Sequence, residues 1–489
     1  MIIVNSEREK ELFIQVYDQI NKYKHIVGKD PFRLHYHIMP PVGLLNDPNG
    51  FIHFQGLYHL FYQWNPFDTK HGSKFWGHYT SADLVHWEHQ PPALAPSEWY
   101  EKNGCYSGSA IEHEGKMFLF YTGNVKNREG RRESYQCLAV SQDGIHFKKK
   151  GPIIRLPQGY TAHFRDPKVW KKGETWYVVI GAQSEKKEGR VVLYSSNDLY
   201  TWKYLGALAG GNMNGLGEFG YMWECPDLFE LDGQDVLIVS PQGLQPKGYL
   251  YNNLYQAGYF VGKMDYKNIH FEHGEFIELD RGFDFYAPQT TLDEKGRRLL
   301  IGWMGVPEEN EPYHPTIHHR WIHCMTIPRQ LKLKDGRLYQ KPVDELQKLR
   351  EKEVTYPHVQ IAGRSIKLEQ VNGKSVEIIL DSMHFDTESL EISFKGNARF
   401  IYDPVNKRAT LERKSLKEDK IESRHCELPS LHKLHIFLDS SSAEIFLNDG
   451  EEVFSSRIFG NVVDESIVFS SKGKVTFRLK KWALRKIFQ

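Results

Sequence analysis

Between residues 50 and 305 the apolar positions fall into short runs, each opened by a turn glycine. The pattern recurs as Gly56-LYHLFYQW, Gly115-KMFLFYTG, Gly173-ETWYVVIG, Gly233-QDVLIVSP and Gly296-RRLLIGWM, at spacings of 59, 58, 60 and 63 residues. A second marker follows four of the runs: Asp83-LVH-Trp87, Asp143-GIH-Phe147, Asp198-LYT-Trp202 and the weaker Lys267-NIH-Phe271. The runs have strand length, and no helical periodicity fills the gaps, which argues against strands linked by helices. A strand-rich unit of about 60 residues cannot bury a core alone. Five such units stacked radially cover one another's faces, so the repeat predicts a five-bladed β-propeller.

Outside the repeat the pattern changes. Residues 6–23 place Leu12, Phe13, Val16 and Ile20 at helical spacing, which predicts a short outer helix. Residues 341–351 predict a linker helix begun by Pro342. Beyond about 360 alternation returns in VEIIL (376–380), LEISF (390–394), LHIFL (434–438), AEIFL (443–447) and VTFRL (475–479), with Asn448-Asp449-Gly450 as a hairpin turn between two of them. This reads as an antiparallel β-sandwich. The expected all-β organisation is an N-terminal helical segment (1–30), a propeller (31–338), a linker (339–355) and a sandwich (356–489). Ten of the eleven tryptophans lie between Trp64 and Trp321, on the propeller side of that boundary.

Charge and composition remove several classes of function. Lys and Arg total 63 against 62 Asp and Glu, so nothing resembles the basic balance of a nucleic-acid binder. No apolar run exceeds five residues, which excludes a membrane-spanning helix. The start is charged at once and has no signal-peptide apolar region. The five cysteines are scattered and without CxxC spacing, so neither a disulfide scaffold nor a zinc site is expected, and a cytoplasmic location fits. Aromatic residues make up 13%, enough for a large core and for stacking platforms besides.

The segments upstream of the turn glycines should be the innermost strands. They read Asn46-Asp47-Pro48-Asn49-Gly50, Tyr106-Ser107-Gly108-Ser109, Phe164-Arg165-Asp166-Pro167, Trp223-Glu224-Cys225-Pro226-Asp227 and Tyr286-Ala287-Pro288-Gln289. Asp47, Asp166 and Glu224 fall at nearly equivalent depth, so three carboxylates should converge on the central channel. Each motif alone is ordinary: NDPNG is a turn sequence and RDP a salt-bridged strand end. Their agreement in repeat phase is what points to a site. A calcium site built from the same acids is disfavoured, because Arg165 would set a positive charge beside the cation. Glycosidic hydrolysis needs one carboxylate to attack or activate water and one carboxylic acid to protonate the leaving oxygen. Crowding three acids keeps at least one protonated near neutral pH. The constellation reads as a glycosidase.

These motifs, with His37-IMPPVGLL, Gln63-Trp64-Asn65-Pro66, Trp76-Gly77-His78 and Phe285-Tyr286-Ala287-Pro288-Gln289, resemble glycoside hydrolase family 32, the β-fructosidases and invertases. The resemblance runs from about Phe32 to the C-terminus and includes EIFLNDGEEVFSSRIF (444–459). Through HGSKFWGHY (71–79), NGCYSGSA (103–110), GYTAHFRDPKVW (159–170), FGYMWECPDLF (219–229) and GFDFYAPQT (282–290) the chain is most similar to the intracellular bacterial members that act on sucrose 6-phosphate. The resemblance implies a retaining double displacement. Asp47 would be the nucleophile, Glu224 the acid and then the base, and Asp166 the group that binds fructose hydroxyls and stabilises the transition state, with Arg165 orienting the acids. Leu45, Asn46, Gln63, Trp76, Tyr106, Ser107, Arg165, Tyr286 and Trp303 would bind the sugar. No metal or organic cofactor is implied. The partner is a sugar, sucrose 6-phosphate or sucrose, with a broader invertase or fructan β-fructosidase as the alternative.

A phosphate on the glucose should favour basic side chains at the pocket mouth, and His71, Lys74 and Lys247 are the candidates. The rival readings are a propeller glycosidase of arabinan or xylan, against which the NDPNG motif and the sandwich argue, a non-catalytic sugar binder, and a fructosyl transferase using the same covalent intermediate.

Overall fold

A computed structural model describes residues 6–488. The expected helix runs over Glu7–Val27, four residues beyond the predicted end, with the Ser6 hydroxyl accepting the Glu9 backbone N–H at its start. It buries Leu12, Phe13, Val16 and Val27. No helix among the described residues is long and apolar enough to cross a membrane.

Five antiparallel sheets follow in sequence order. Blade one comprises Gly43–Phe54, Leu57–Asn65, Phe75–Ser81 and Glu88–Leu94, and blade two Cys105–His113, Lys116–Lys126, Arg132–Ser141 and Lys148–Arg155. Blade three holds Tyr160–Lys172, Thr175–Ser184, Gly189–Ser196 and Lys203–Gly210, and blade four Met222–Leu231, Gln234–Gln242, Gly258–Asp265 and His270–His273. Tyr286–Leu292, Arg298–Trp303, Arg329–Lys334 and Arg337–Pro342 form blade five. The first strands of successive blades lie side by side, and that of blade five returns to that of blade one, closing a propeller.

The repeat markers have local causes. All five turn glycines have positive φ, between 60° and 83°. Asp83, Asp143 and Asp198 each accept the backbone N–H groups two and three residues ahead, closing the turn before the fourth strand. In blade four this is the work of Asp265, which accepts from Lys267 and Asn268, so the marker there begins two residues earlier than Lys267.

Two six-stranded sheets form the C-terminal sandwich, and each of the five predicted strands lies within one of its strands. The connection to it differs from the expected linker helix. Pro342 ends the last propeller strand, a 3₁₀ helix covers Asp344–Leu349, and Arg350–Ala362 already pairs with Lys474–Leu484 in the sandwich. The charged start of that strand, Arg350-Glu-Lys-Glu, hides its strand character from an apolar pattern. The Asn448-Asp449-Gly450 turn joins Ser442–Leu447 to Glu452–Arg457, a strand outside the predicted set. Gly450 has φ 90°, and a Cβ there would stand 1.9 Å from the Gln340 carbonyl oxygen, so only glycine lets this hairpin dock on blade five.

A buried polar network joins the two units. Arg329, fully buried, donates to Glu444 Oε2 and Ser455 Oγ at 2.6 Å, to Gln340 Oε1 at 2.8 Å and to Asp280 Oδ2 at 3.2 Å. His37 bridges Asp439 at 2.8 Å and Glu444 at 3.0 Å. Burial works against the His37 charge, but the two carboxylates outweigh it and raise its pKa.

Removing one member of such a network strands the others. Arg329→Ala should cost about 3–5 kcal/mol in urea unfolding of the full chain, because Asp280 and Glu444 lose their buried counter-ion. A loss below about 1 kcal/mol would show that the network does not hold the two units together.

Candidate active site

Every innermost strand breaks register with its neighbour at the same place. Pairing jumps from Leu45 to Pro48, from Tyr106 to Gly108, from Arg165 to Lys168, from Glu224 to Asp227 and from Tyr286 to Gln289. Such bulges suspend the in–out alternation of a strand and re-aim its side chains. Asp166, Cys225 and Ala287, each just before the bulge proline, have φ of 68°, 47° and 46°. In blade two the proline is replaced by Gly108, whose Cβ would lie 1.8 Å from the Phe120 carbonyl oxygen.

Aligned on the bulge, the blades read Asn46-Asp47, Tyr106-Ser107, Arg165-Asp166, Glu224-Cys225 and Tyr286-Ala287. Asp47 and Asp166 share one level. Glu224 stands one residue earlier, level with Arg165 and Tyr286, which corrects the expectation of nearly equivalent depth. The contacts follow these levels. In the first, Ser107 Oγ donates to Asp47 Oδ2, the Cys225 thiol lies 3.8 Å from the same oxygen, and the Cys225 N–H donates to Asp166 Oδ2 at 3.0 Å. Gln63 and Asn46 amides also donate to Asp47, both at 3.0 Å. In the second, Arg165 Nε and Nη2 hold Glu224 Oε1 at 2.8 and 2.7 Å. The Tyr286 hydroxyl and the Gln242 amide donate to Glu224 Oε2 at 2.6 and 2.7 Å.

A cavity of about 540 Å³ is lined by both levels. Blade one contributes Asn46, Asp47, Gln63 and the 71–74 loop; blade two contributes Asn103, Tyr106, Asn124, Lys126 and Arg132. His163, Arg165 and Asp166 come from blade three, and Glu224, Gln242 and Tyr255 from blade four. Tyr286, Trp303, Pro307 and Glu308 complete the wall. The Trp303 indole N–H is buried with no hydrogen-bond partner among the described residues. No group of three His, Cys, Asp or Glu among those residues is arranged to hold a metal ion.

The three acids are electrostatically unequal. Burial raises Asp166 to about 7; Arg165 pulls it down, and the charges of Glu224 and Asp47 push it up again. Asp47 is also raised by burial, against the Ser107 hydrogen bond. Burial acts upward on Glu224 too, but the Arg165 guanidinium and the Tyr286 hydroxyl outweigh it and hold this carboxyl below its ordinary value. Of the three it is Asp166, not Glu224, whose pKa is pushed up to about 7.

Other sequence candidates are distributed unevenly. Ser107 touches Asp47 from behind the wall. Leu45 packs in the blade-one core, and Trp76 is fully buried with its indole N–H on the Tyr106 carbonyl, so neither lines the cavity. Lys247 lies in a separate surface depression with Lys186 and Lys187. Lys74 is buried, donates to Asn46 Oδ1 at 2.7 Å, and is lowered by burial to about 7. His71 pairs with Glu311 at 2.9 Å. Gln242, Tyr255, Lys126 and Arg132 had no signal in the repeat, because they sit on a second strand, hairpin ends and a loop; His163 is on an inner strand but two residues ahead of the Arg165-Asp166 pair.

Two family descriptions match the chain: the glycosyl hydrolases family 32 N-terminal domain over residues 37–342 and the family 32 C-terminal region over 345–483. A sucrose-6-phosphate hydrolase of Bacillus subtilis is 53% identical over 97% of this chain and 99% of its own length. Among solved structures, a sucrose-6-phosphate hydrolase from Lactobacillus gasseri is 34% identical, covers 96% of this chain and 97% of its own, and superposes with a TM-score of 0.87. A Bombyx mori GH32 beta-fructofuranosidase is 37% identical, covers 98% and 99%, and gives a TM-score of 0.86. The chain belongs to glycosyl hydrolases family 32 and is a glycoside hydrolase.

Proposed function

We propose that the chain is a retaining β-fructofuranosidase that cleaves sucrose 6-phosphate, and sucrose, to fructose and glucose 6-phosphate or glucose. The observation that carries this reading is the convergence of Asp47, Asp166 and Glu224, in two distinct electrostatic settings, on one cavity. The names of the Bacillus subtilis and Lactobacillus gasseri relatives support the substrate. The free cysteines, all five among the described residues, support a cytosolic setting.

In this reading the Asp47 carboxylate attacks the anomeric C2 of fructose while Glu224 protonates the departing glucosyl oxygen. Glu224 then deprotonates water, which cleaves the fructosyl ester and frees Asp47. Asp166 holds fructose hydroxyls and stabilises the cationic transition state. Asn46, Gln63 and Ser107 keep the Asp47 oxygens aimed by hydrogen bonding. The three acids face one cavity and titrate as a coupled group. Burial and the charges of Glu224 and Asp47 raise Asp166, while Arg165 pairs with Glu224.

Asp47→Asn should lower kcat by several orders of magnitude with the fold intact, since an amide cannot form the ester. Activity within about tenfold of the wild type would remove Asp47 from the nucleophile role.

Glu224→Gln should cripple cleavage of sucrose, whose leaving oxygen needs a proton, far more than cleavage of a fructoside with a low-pKa leaving group. Added azide, which needs no base, should release the trapped ester as β-fructosyl azide. Equal relative losses for both substrates and no azide product would assign the acid elsewhere.

The charge balance also predicts a stability effect. With a folded pKa of about 7 against an ordinary value of 3.8, Asp166 is most favourable to folding below 3.8 and loses that contribution as pH rises to about 7. Asp166→Asn should therefore raise Tm at pH 8 more than at pH 5. An equal effect at both values would contradict a raised Asp166.

A further inference from the structure

The reading as a sucrose-6-phosphate hydrolase demands a cation for the glucose phosphate, and the three lysine and histidine candidates serve poorly. Lys74 is buried against Asn46 at the Asp47 end, where fructose belongs. His71 shares Glu311 with His323, at 2.9 and 3.0 Å, and that carboxylate would repel a dianion. Lys247 is on another depression.

Blade two offers a different pair. Lys126 ends its second strand and Arg132 begins its third, and the two are direct cross-strand partners. Both line the catalytic cavity. Neither side chain has a hydrogen-bond or ion-pair partner among the described residues; Arg132 has only the Tyr106 ring, 6.0 Å from its guanidinium carbon. Arg132 is half-buried, and burial depresses its pKa, with the charges of Arg165 and Glu224 close enough to act on it. The hairpin is anchored to the wall, since Asn103 Oδ1 accepts the Lys126 N–H at 2.6 Å and the Asn103 carbonyl accepts the Asn124 amide at 3.3 Å. A partly desolvated arginine without a carboxylate is costly unless a ligand anion completes it. Its planar fork suits two phosphate oxygens, and the neighbouring lysine supplies a second charge. The location agrees with the chemistry, because Glu224 must touch the oxygen between the two sugars and Arg132 lies within its electrostatic reach.

We propose that Arg132 and Lys126 form the phosphate-binding pair that lets this active site prefer sucrose phosphorylated on its glucose; the assignment rests on the function proposed above. The test compares kcat/KM for sucrose 6-phosphate and for sucrose in the wild type, Arg132→Gln, Arg132→Lys and Lys126→Gln, with inhibition by glucose 6-phosphate as a second readout. Arg132→Gln should lower the ratio of the two kcat/KM values by roughly 10- to 100-fold, the size of a lost charge-assisted hydrogen bond, mostly through KM. Arg132→Lys should restore part of it, and Lys126→Gln should lower it less. Glucose 6-phosphate should inhibit Arg132→Gln more weakly in the same proportion. Lys126 is exposed, so its variant keeps the test open if Arg132→Gln does not fold. A wild type that prefers the phosphorylated sugar, with a ratio unchanged in all folded variants, would overturn the pair alone. A wild type that cleaves both sugars without preference would likewise overturn the pair, and one that cleaves neither would overturn the substrate reading itself.

Discussion

The rest of the site depends on the difficulty of keeping three carboxylates charged in one narrow channel. Water cannot solvate them fully there, and like charges at close range penalise one another. One arginine cannot neutralise all three. Arg165 is committed to Glu224, and Lys74, the other cation near Asp47, is itself depressed to about 7 by burial. The remaining charge is met by a raised pKa at Asp166 and by neutral donors on Asp47 and Glu224. The free protein thus stores an unfavourable arrangement that a developing positive charge on the sugar would relieve. This is the sense in which an active site is complementary to a transition state.

The geometry that permits the crowding is a repeated backbone defect. A regular strand would send alternate side chains to opposite faces of its blade, and adjacent residues could not both serve the channel. The bulge at the same point of all five inner strands lets Arg165 and Asp166 both line the cavity. It also lets the chain use one level for Asp47 and Asp166 and the next for Glu224. The sequence carries this in the prolines at 48, 167, 226 and 288.

That is also why the site was partly legible from sequence. The turn glycines report local backbone requirements, so the blades and their phase could be read directly. The acids could be found because they stand on the repeating strand. Their depth was misjudged by one residue at Glu224, since counting back from a glycine does not see which residue the bulge absorbs. Gln242 and His163 carry no repeat mark: one stands on a second strand against the Glu224 carboxylate, the other two residues ahead of the bulge pair against the Arg165 guanidinium. Trp76, named through the resemblance rather than the repeat, stands between Phe61 and Tyr121 in the core.

The sandwich enters this logic through the seam of the propeller. Blades one and five must meet although the chain between them has run through the whole ring. Trp321 and Ile322 add a short parallel strand to Gly43 and Leu44 of blade one, from a segment that leaves blade five. The sandwich spans the same seam with charge: His37, just ahead of blade one, lies on Asp439 and Glu444, and Glu444 also holds Arg329 of blade five. Asp284, two residues before Tyr286, accepts the Arg457 N–H at 2.9 Å and pairs with Arg413. Tyr286 in turn holds Glu224. Buried polar contacts of the sandwich therefore reach chain segments that lead directly into the inner strands of blades one and five. A domain with no residue lining the cavity is thus tied to the seam that the inner strands of blades one and five close directly, where the Phe51 N–H donates to Gln289 Oε1 at 2.8 Å.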